Sequence, residues 1–412
     1  MRRRDVMRLM GAAGAVGLVR IGSHAWAAQN PHAPKQRFVV VFLRGAADGL
    51  NIVIPHAEHA YYAMRPTIAI APPGQRDGAL DLDGHFGLHP QLAAIMPLWQ
   101  DKSLAFVHAS GSPDESRSHF DAQAYMESGT PGVRTTPDGW MNRLLANLPG
   151  PHVATEAVNF GATMPRILRG SMPVASIAAG KGSHQGPIAI DRPAVHAAFD
   201  AMYTGSDSLS TAYRDGQSAH AKFMTELQKD MAEAAGDAPE PKGFAEDVAH
   251  FCQLARKDPT IQVGFFALSG WDTHVRQGSI QGQLALHLNQ LAEGLAGFRT
   301  GLKDGYRDTV VLVMSEFGRT AHENGNNGTD HGHGNVMWVL GGGVKGGHVY
   351  GEWPGLDEHE LHEGRDLAVT TDFRTVVASV LSDHLKLSPQ AIQSVFPGAA
   401  ALAAKDMGLV RV

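Results

Sequence analysis

Continuous apolar runs, rather than alternating ones, punctuate the chain. Phe38 to Leu43 reads Phe-Val-Val-Val-Phe-Leu and gives way at once to Arg44-Gly45-Ala46-Ala47-Asp48-Gly49. A strand that is apolar on both sides must be covered on both sides, as parallel strands in α/β sheets are. Leu104 to His108, Val263 to Leu268, Val310 to Met314 and Val336 to Leu340 repeat the pattern, each followed by Gly, Ser or charged residues. These five runs predict an α/β protein with one parallel or mostly parallel central sheet. Between them, Ile280, Leu284, Leu288, Leu291, Leu295, Phe298 and Leu302 recur in steps of four and three, one apolar stripe of a covering helix. In open sheets of this kind the ligand crevice lies beyond the carboxyl ends of the strands.

Two regions break this rhythm. Residues from about Thr135 to Ala255 are rich in Pro and Gly at first, then helical from about Ser218 to Ala235, with a soft connector from Gly236 to Gly243. They predict an insertion or cap, residues 135–255, on a single α/β domain spanning residues 36–410. At the other extreme, Arg2, Arg3, Arg4 and Arg8 precede the Gly-thinned apolar stretch Leu9 to Val19, and Ala25-Trp26-Ala27 offers a small-x-small cleavage site. Arg3-Arg4-Asp5-Val6-Met7 has the order of a twin-arginine export signal. The expectation is a signal over residues 1–27, a mature chain starting near Ala28, passage through the twin-arginine translocon, and a periplasmic or secreted protein. No later apolar run approaches the ~18 residues a membrane span needs, so the mature form is expected to lack an integral membrane segment.

Composition narrows the chemistry. A hydrophobic content of 43% supports a sizeable core, and a formal charge of −6 lacks the basic excess of a nucleic-acid binder. Cys252 is the only cysteine, which excludes an intrachain disulfide and a thiolate metal cluster. Histidine is abundant, at 22 residues.

Four polar clusters follow the apolar runs or open helices. Asp48 sits in a glycine-flanked turn, where it is either turn chemistry or a carboxylate that reaches an ion. Arg117-Ser118-His119-Phe120-Asp121 leads into a helix with Ser118 near its N-cap; the hydroxyl there is a plain cap or a nucleophile facing unsatisfied N–H groups. Gly270-Trp271-Asp272-Thr273-His274 places a carboxylate and an imidazole at a strand end. Ser315-Glu316-Phe317-Gly318-Arg319-Thr320 is followed by Gly328-Thr329-Asp330-His331-Gly332-His333-Gly334, whose glycine-spaced donors build no core. Asp48, Asp272, His274, Glu316, Asp330, His331 and His333 are therefore the candidate metal ligands. Mixed carboxylate and imidazole donors favour zinc, manganese or iron over calcium, as one divalent metal ion or two. His119 is a candidate acid, base or ligand, and Arg117 or Arg319 a candidate clamp for an anion.

These segments, with Leu43 to Asn51, resemble the signature segments of the DUF1501 family of exported bacterial proteins, and Thr371-Asp372-Phe373-Arg374-Thr375-Val376 resembles the late helix start that follows the last ligand in its superfamily. That family in turn resembles a divergent branch of the alkaline phosphatase and sulfatase superfamily. The resemblance implies an alkaline-phosphatase-like fold with Asp48 as the first-strand metal aspartate and Ser118 near the nucleophile. It further implies Asp272 and His274 as the pair of one metal site, Glu316 in place of a second aspartate, and His331 or His333 as the last ligand. Phe317 stands where the superfamily often has a ligating histidine, and superfamily spacing counted back from Gly129 lands on His119 rather than Ser118.

The leading expectation is a metal-dependent hydrolase acting on a small-molecule or polymer ester of phosphate or sulfate, with Ser118 attacking and His119, Arg117 and Arg319 assisting. The alternative is a non-catalytic metal-containing protein of the same fold that captures an extracytoplasmic ligand.

Overall fold

The computed structural model describes residues 36–150, 152–161, 163–177, 235–236, 238–399, 402 and 406–411. The export signal and, but for its last residue, the helix expected over 218–235 lie outside the described residues.

All five apolar runs are strands of one sheet. In chain order its members are β1 (Arg37–Leu43), β2 (Leu104–Gly111), β3 (Ala157–Phe160), β4 (Ala175–Ile177), β5 (Val263–Leu268), β6 (Thr309–Ser315), β7 (Asn335–Leu340), β8 (Val349–Tyr350) and β9 (Thr371–Asp372). They lie in the order β8-β2-β7-β6-β1-β5-β3-β4, with β9 also paired to β2. β1 is central and parallel to both neighbours, Val40 facing Phe265 of β5 and Leu312 of β6. β3 and β4 extend the parallel edge beyond β5. β3 and β4, expected within an inserted cap, thus belong to the sheet.

The main helices are α1 (His119–Ser128), α2 (Trp140–Asn147), α3 (Phe244–Lys257), α4 (Gln283–Leu302), α5 (Phe373–Asp383) and α6 (Pro389–Val395). Alternation along β1 shows why both faces need cover. Val39, Val41 and Leu43 join a core with Phe251 of α3 and Leu291, Leu295 and Phe298 of α4. Phe38, Val40 and Phe42 point the other way, into a core with Trp140 and Leu144 of α2 and Val376 and Val380 of α5. The stripe predicted for α4 is the buried one, Leu284 to Leu302, although Ile280 lies ahead of the helix. Each such side chain contributes roughly 1.5–3 kcal/mol by leaving water.

One strand departs from the expectation of a parallel sheet. β7 runs antiparallel to β2 and β6. The physical reason is its connection: β6 and β7 are joined by a loop without a crossover helix, and a parallel neighbour would need one. The consequence is positional. Loops leaving the carboxyl ends of β6, β1 and β5 emerge at one edge, and because β7 is reversed, the loop that enters it emerges there too.

A buried ion pair fastens those loops together. Arg65 and Asp48 are both fully buried, with Arg65 Nη1 2.7 Å from Asp48 Oδ2. Arg65 also donates from Nη1 to Asn51 Oδ1, from Nη2 to the Thr320 carbonyl and from Nε to the Ala321 carbonyl, linking the turn after β1 to the loop after β6. Gln277 donates from Nε2 to Asp48 Oδ2 at 2.6 Å, bringing in the loop after β5. Removing one partner of such a pair leaves a buried charge uncompensated, at a cost of about 3–5 kcal/mol. Urea unfolding of Arg65→Ala is expected to show a loss of that order, with part of it recovered in the Arg65→Ala, Asp48→Asn double variant. A loss below about 1 kcal/mol in the single variant would contradict this role.

Candidate metal centre

Three histidines and one aspartate meet at the edge where these loops converge. His119 opens α1, Asp272 and His274 follow β5, and His331 lies in the loop entering β7. His331 Nε2 is 2.9 Å from His119 Nε2 and 2.9 Å from His274 Nε2. Asp272 Oδ1 lies 3.0 Å from His274 Nε2 and 3.5 Å from His331 Nε2, and its Oδ2 lies 3.7 Å from His119 Nε2. One donor atom each from His119, Asp272 and His331 fall within 4.8 Å of one another, a spacing that can hold a metal ion.

The opposite ring nitrogens define what this convergence means. His119 Nδ1 is 2.7 Å from Glu316 Oε1, His274 Nδ1 is 3.0 Å from Asp330 Oδ1, and His331 Nδ1 is 2.9 Å from the Arg117 carbonyl oxygen. A carbonyl can only accept, and both carboxylates are ionised. Glu316 is fully buried, which pushes its carboxyl up, but hydrogen bonds from His119 and Gln123 and the His119 charge hold it below the usual range. The hydrogen bond from His274, against partial burial, brings Asp330 down to about 2. Each Nδ1 therefore carries the proton, so in each neutral ring Nε2 bears a lone pair, and those of His119 and His274 both face His331 Nε2. Lone pairs at 2.9 Å repel unless a cation lies among them.

Asp272 adds a fourth acceptor. It is 4% exposed, and its Oδ2 is buried without a hydrogen-bond partner. Burial disfavours its charge, yet the His119, His274 and His331 rings, when protonated on Nε2, and the Arg319 guanidinium hold its carboxyl far below the ordinary range. An orphaned carboxylate oxygen beside three imidazole lone pairs fits a divalent ion with borderline preferences. His119 shows the alternative occupant: burial opposes its charged form, but Asp272 and Glu316 outweigh it and push the pKa up to about 9.

The remaining sequence candidates fall around these four. Glu316 and Asp330, expected as ligands, stand behind His119 and His274 and fix their orientation, the carboxylate–imidazole–metal pattern. Arg319 is buried against Asp272 Oδ1 at 2.7 Å and the Thr329 carbonyl at 2.6 Å, so its guanidinium is engaged in holding the ligand loop. Arg117 reaches Glu363 at 2.5 Å and Asp366 at 2.7 Å. Ser118 is the exposed N-cap of α1, accepting weakly from Asp121 N at 3.5 Å. Asp48 is not in the His119, Asp272 and His331 group; its Oδ2 is taken by Arg65 and Gln277, and its Oδ1 is buried without a hydrogen-bond partner. His333 packs its ring 4.7 Å from that of His362, outside the cluster. Phe317 stacks on His119 with ring centroids 4.9 Å apart and closes the centre with an apolar wall.

Local geometry explains the glycines. Gly45 has φ +115°, and a Cβ there would stand 2.6 Å from the backbone nitrogen of Asp272; its N–H donates to Glu316 Oε1 at 2.8 Å. A Cβ at Gly318 would meet the Gly334 carbonyl at 1.8 Å, so the loops after β6 and before β7 can lie in contact.

Several residues that complete the site had no role in the sequence reading. Gln123, one helical turn after His119, donates to Glu316 Oε1 at 3.0 Å, a partner that the i,i+4 spacing could have flagged. Gln277 Oε1 accepts from Thr273 and Thr329 hydroxyls at 2.7 and 2.8 Å, and Thr329 Oγ1 accepts from Arg319 Nε at 3.1 Å, so a continuous chain runs from Asp48 to Asp272. No local signal marks those long-range partners.

Comparison with known proteins gives one family and several remote structural likenesses. No curated protein matches the chain. The 2-O GAG sulfatase BT1596 is 10% identical, with a TM-score of 0.42 and coverage of 92% of this chain and 76% of that one. The lipoteichoic acid synthase LtaP from Listeria monocytogenes is 10% identical, with a TM-score of 0.37 over 82% of this chain and 75% of that one. A protein of the alkaline phosphatase superfamily from Vibrio parahaemolyticus is 9% identical, with a TM-score of 0.35 over 75% of this chain and 60% of that one. Residues 35–396 match the family described as "Protein of unknown function (DUF1501)". The chain belongs to the DUF1501 family.

Proposed function

We propose that this protein is an exported hydrolase of phosphate or sulfate esters that works with a divalent metal ion, zinc in preference to manganese or iron, held by His119, His274, His331 and Asp272. The observation that carries the reading is the set of three imidazoles whose Nδ1 protons all point to oxygen acceptors while their Nε2 atoms face one another and Asp272. Nitrogen-rich donors of this number suit zinc and suit calcium poorly. When bound, such an ion lowers the pKa of an attacking hydroxyl and neutralises charge on the ester oxygens.

The chain's own residues do the rest. Ser118 lies between Arg117, whose carbonyl accepts from His331, and His119, so cluster contacts flank it on both sides. It is exposed at the N-terminus of α1, where unsatisfied N–H groups and the helix dipole stabilise a developing alkoxide and an incoming anion. Glu316, Asp330 and the Arg117 carbonyl fix the imidazole rings. Arg319 holds Asp272 in place, and Phe317 excludes water from one side. Among the described residues no helix is long and apolar enough to cross a membrane.

Proton and metal compete for the same atoms. At pH 7 the metal-free protein keeps His119 charged, since its pKa lies near 9, and zinc must displace that proton. Calorimetry in buffers of different ionisation enthalpy is expected to show release of at least one proton. Affinity should rise about tenfold per pH unit up to roughly pH 9 for each proton displaced. Binding without proton release would contradict the ligand assignment.

The reaction itself is tested with aryl phosphate, phosphodiester and aryl sulfate substrates. The metal-loaded protein should turn over at least one of them, chelation should abolish the activity, and Ser118→Ala should lower kcat by on the order of 10³-fold or more. Activity unchanged in Ser118→Ala would remove the serine from the mechanism. Tight metal retention with no turnover of any class would instead identify a binding protein.

A further inference from the structure

A pocket of about 460 Å³ opens beside the metal centre, within the usual size range of small-ligand sites. None of His119, Asp272, His274 and His331 lines it. Its apolar lining includes Phe120, Phe160, Met164, Pro165 and Pro239, of which Phe120 is well exposed. Its polar lining is dominated by three arginines, Arg44, Arg166 and Arg169, against the single carboxylate of Glu127.

The charges do not cancel. Glu127 is fully engaged, its Oε1 accepting from Arg44 Nη2 at 2.5 Å and its Oε2 from the Ile167 backbone N–H at 2.9 Å. Arg44 is 8% exposed, donates from Nη1 to Gln123 Oε1 at 2.8 Å, and keeps a buried Nε with no partner. Arg166 donates only to the carbonyls of Arg134 and Thr136, and its Nε is likewise buried without a partner. Arg169 donates from Nε to the Met164 carbonyl at 3.1 Å. Among the described residues, neither Arg166 nor Arg169 has a carboxylate within 4.0 Å. Two guanidiniums without a carboxylate partner among the described residues, beside an apolar lining in a chain of net charge −6, are a local excess that solubility does not require.

We propose that this pocket binds an organic anion, a carboxylate, sulfonate, sulfate or phosphate carried on a ring or other apolar body. The body rests against Phe120, Met164 and Pro239, which reach solvent, and the oxyanion meets Arg166 and Arg169 as a planar fork meets a tetrahedral or carboxylate group. Arg44 fixes the inner wall; Gly236, at φ +51°, lies so close that a Cβ would stand 2.3 Å from Arg44 Nη1. Gln123 touches both places, bonding Arg44 on the pocket side and Glu316 behind His119. A ligand seated here is thus two side chains, Gln123 and Glu316, away from His119.

The test is a binding measurement on the chelator-treated full chain, so it stands whether or not the hydrolytic reading does. Benzenesulfonate is titrated by calorimetry, with benzylammonium as an isostere of opposite charge. Binding of the sulfonate and not of the amine is expected, weakened at least tenfold in Arg169→Ala and in Arg166→Ala and unchanged in His331→Ala. Arg169 is exposed, so its replacement leaves the fold intact, and circular dichroism of both arginine variants checks this. The proposal is overturned by no sulfonate binding, by equal binding of the amine, by unchanged affinity in both arginine variants, or by loss in His331→Ala alone, which would place the anion at the metal centre.

Discussion

The gathering of three imidazoles and one carboxylate at one edge of the sheet is the constraint on which the site end of this molecule depends. Three imidazoles fixed by their Nδ1 hydrogen bonds present lone pairs to each other and to Asp272 at distances that only a proton or a metal ion makes favourable. Such an arrangement cannot come from one element. It takes α1 for His119, the loop after β5 for Asp272 and His274, and the loop before β7 for His331. The reversed direction of β7 delivers that last ligand, since a parallel strand would send its entry loop to the opposite edge of the sheet.

Burying so much charge has a cost that the surroundings offset by giving each charged side chain at least one hydrogen-bond partner. Arg65 and Asp48, Arg319 and Asp272, and Glu316 with Gly45, His119 and Gln123 are all hydrogen-bonded inside the protein. The Asp48–Gln277–Thr329–Arg319–Asp272 chain makes the ligand loop and the turn after β1 parts of one network. Positioning of the candidate ligands and stability of the carboxyl edge are for that reason coupled properties.

The sheet was readable where burial is complete. Runs such as Phe38 to Leu43 can only be inner strands, whereas β3 and β4, with four and three residues, carry too short a pattern and lie in a Gly- and Pro-rich region. Strand direction was not readable at β7, because an apolar run is the same in either sense. In the site, Asp272, His274 and His331 were legible from exposed donors at strand ends, and His119 was legible as a titratable group without a fixed role. Glu316 and Asp330 were recognised as belonging to the site, but whether a carboxylate faces an ion or an imidazole depends on where the imidazole is. Asp48 illustrates the limit most clearly. Its strand-end position suits a ligand, and only the fold reveals Arg65 as its partner.

X-ray absorption at the zinc edge on protein loaded with one equivalent of metal tests the assignment most directly. It should show a first shell of three nitrogens and one or two oxygens at about 2.0–2.1 Å, with the outer-shell scattering of three imidazoles. A shell of oxygens alone, or one with fewer than two imidazoles, would contradict the centre built by His119, His274, His331 and Asp272.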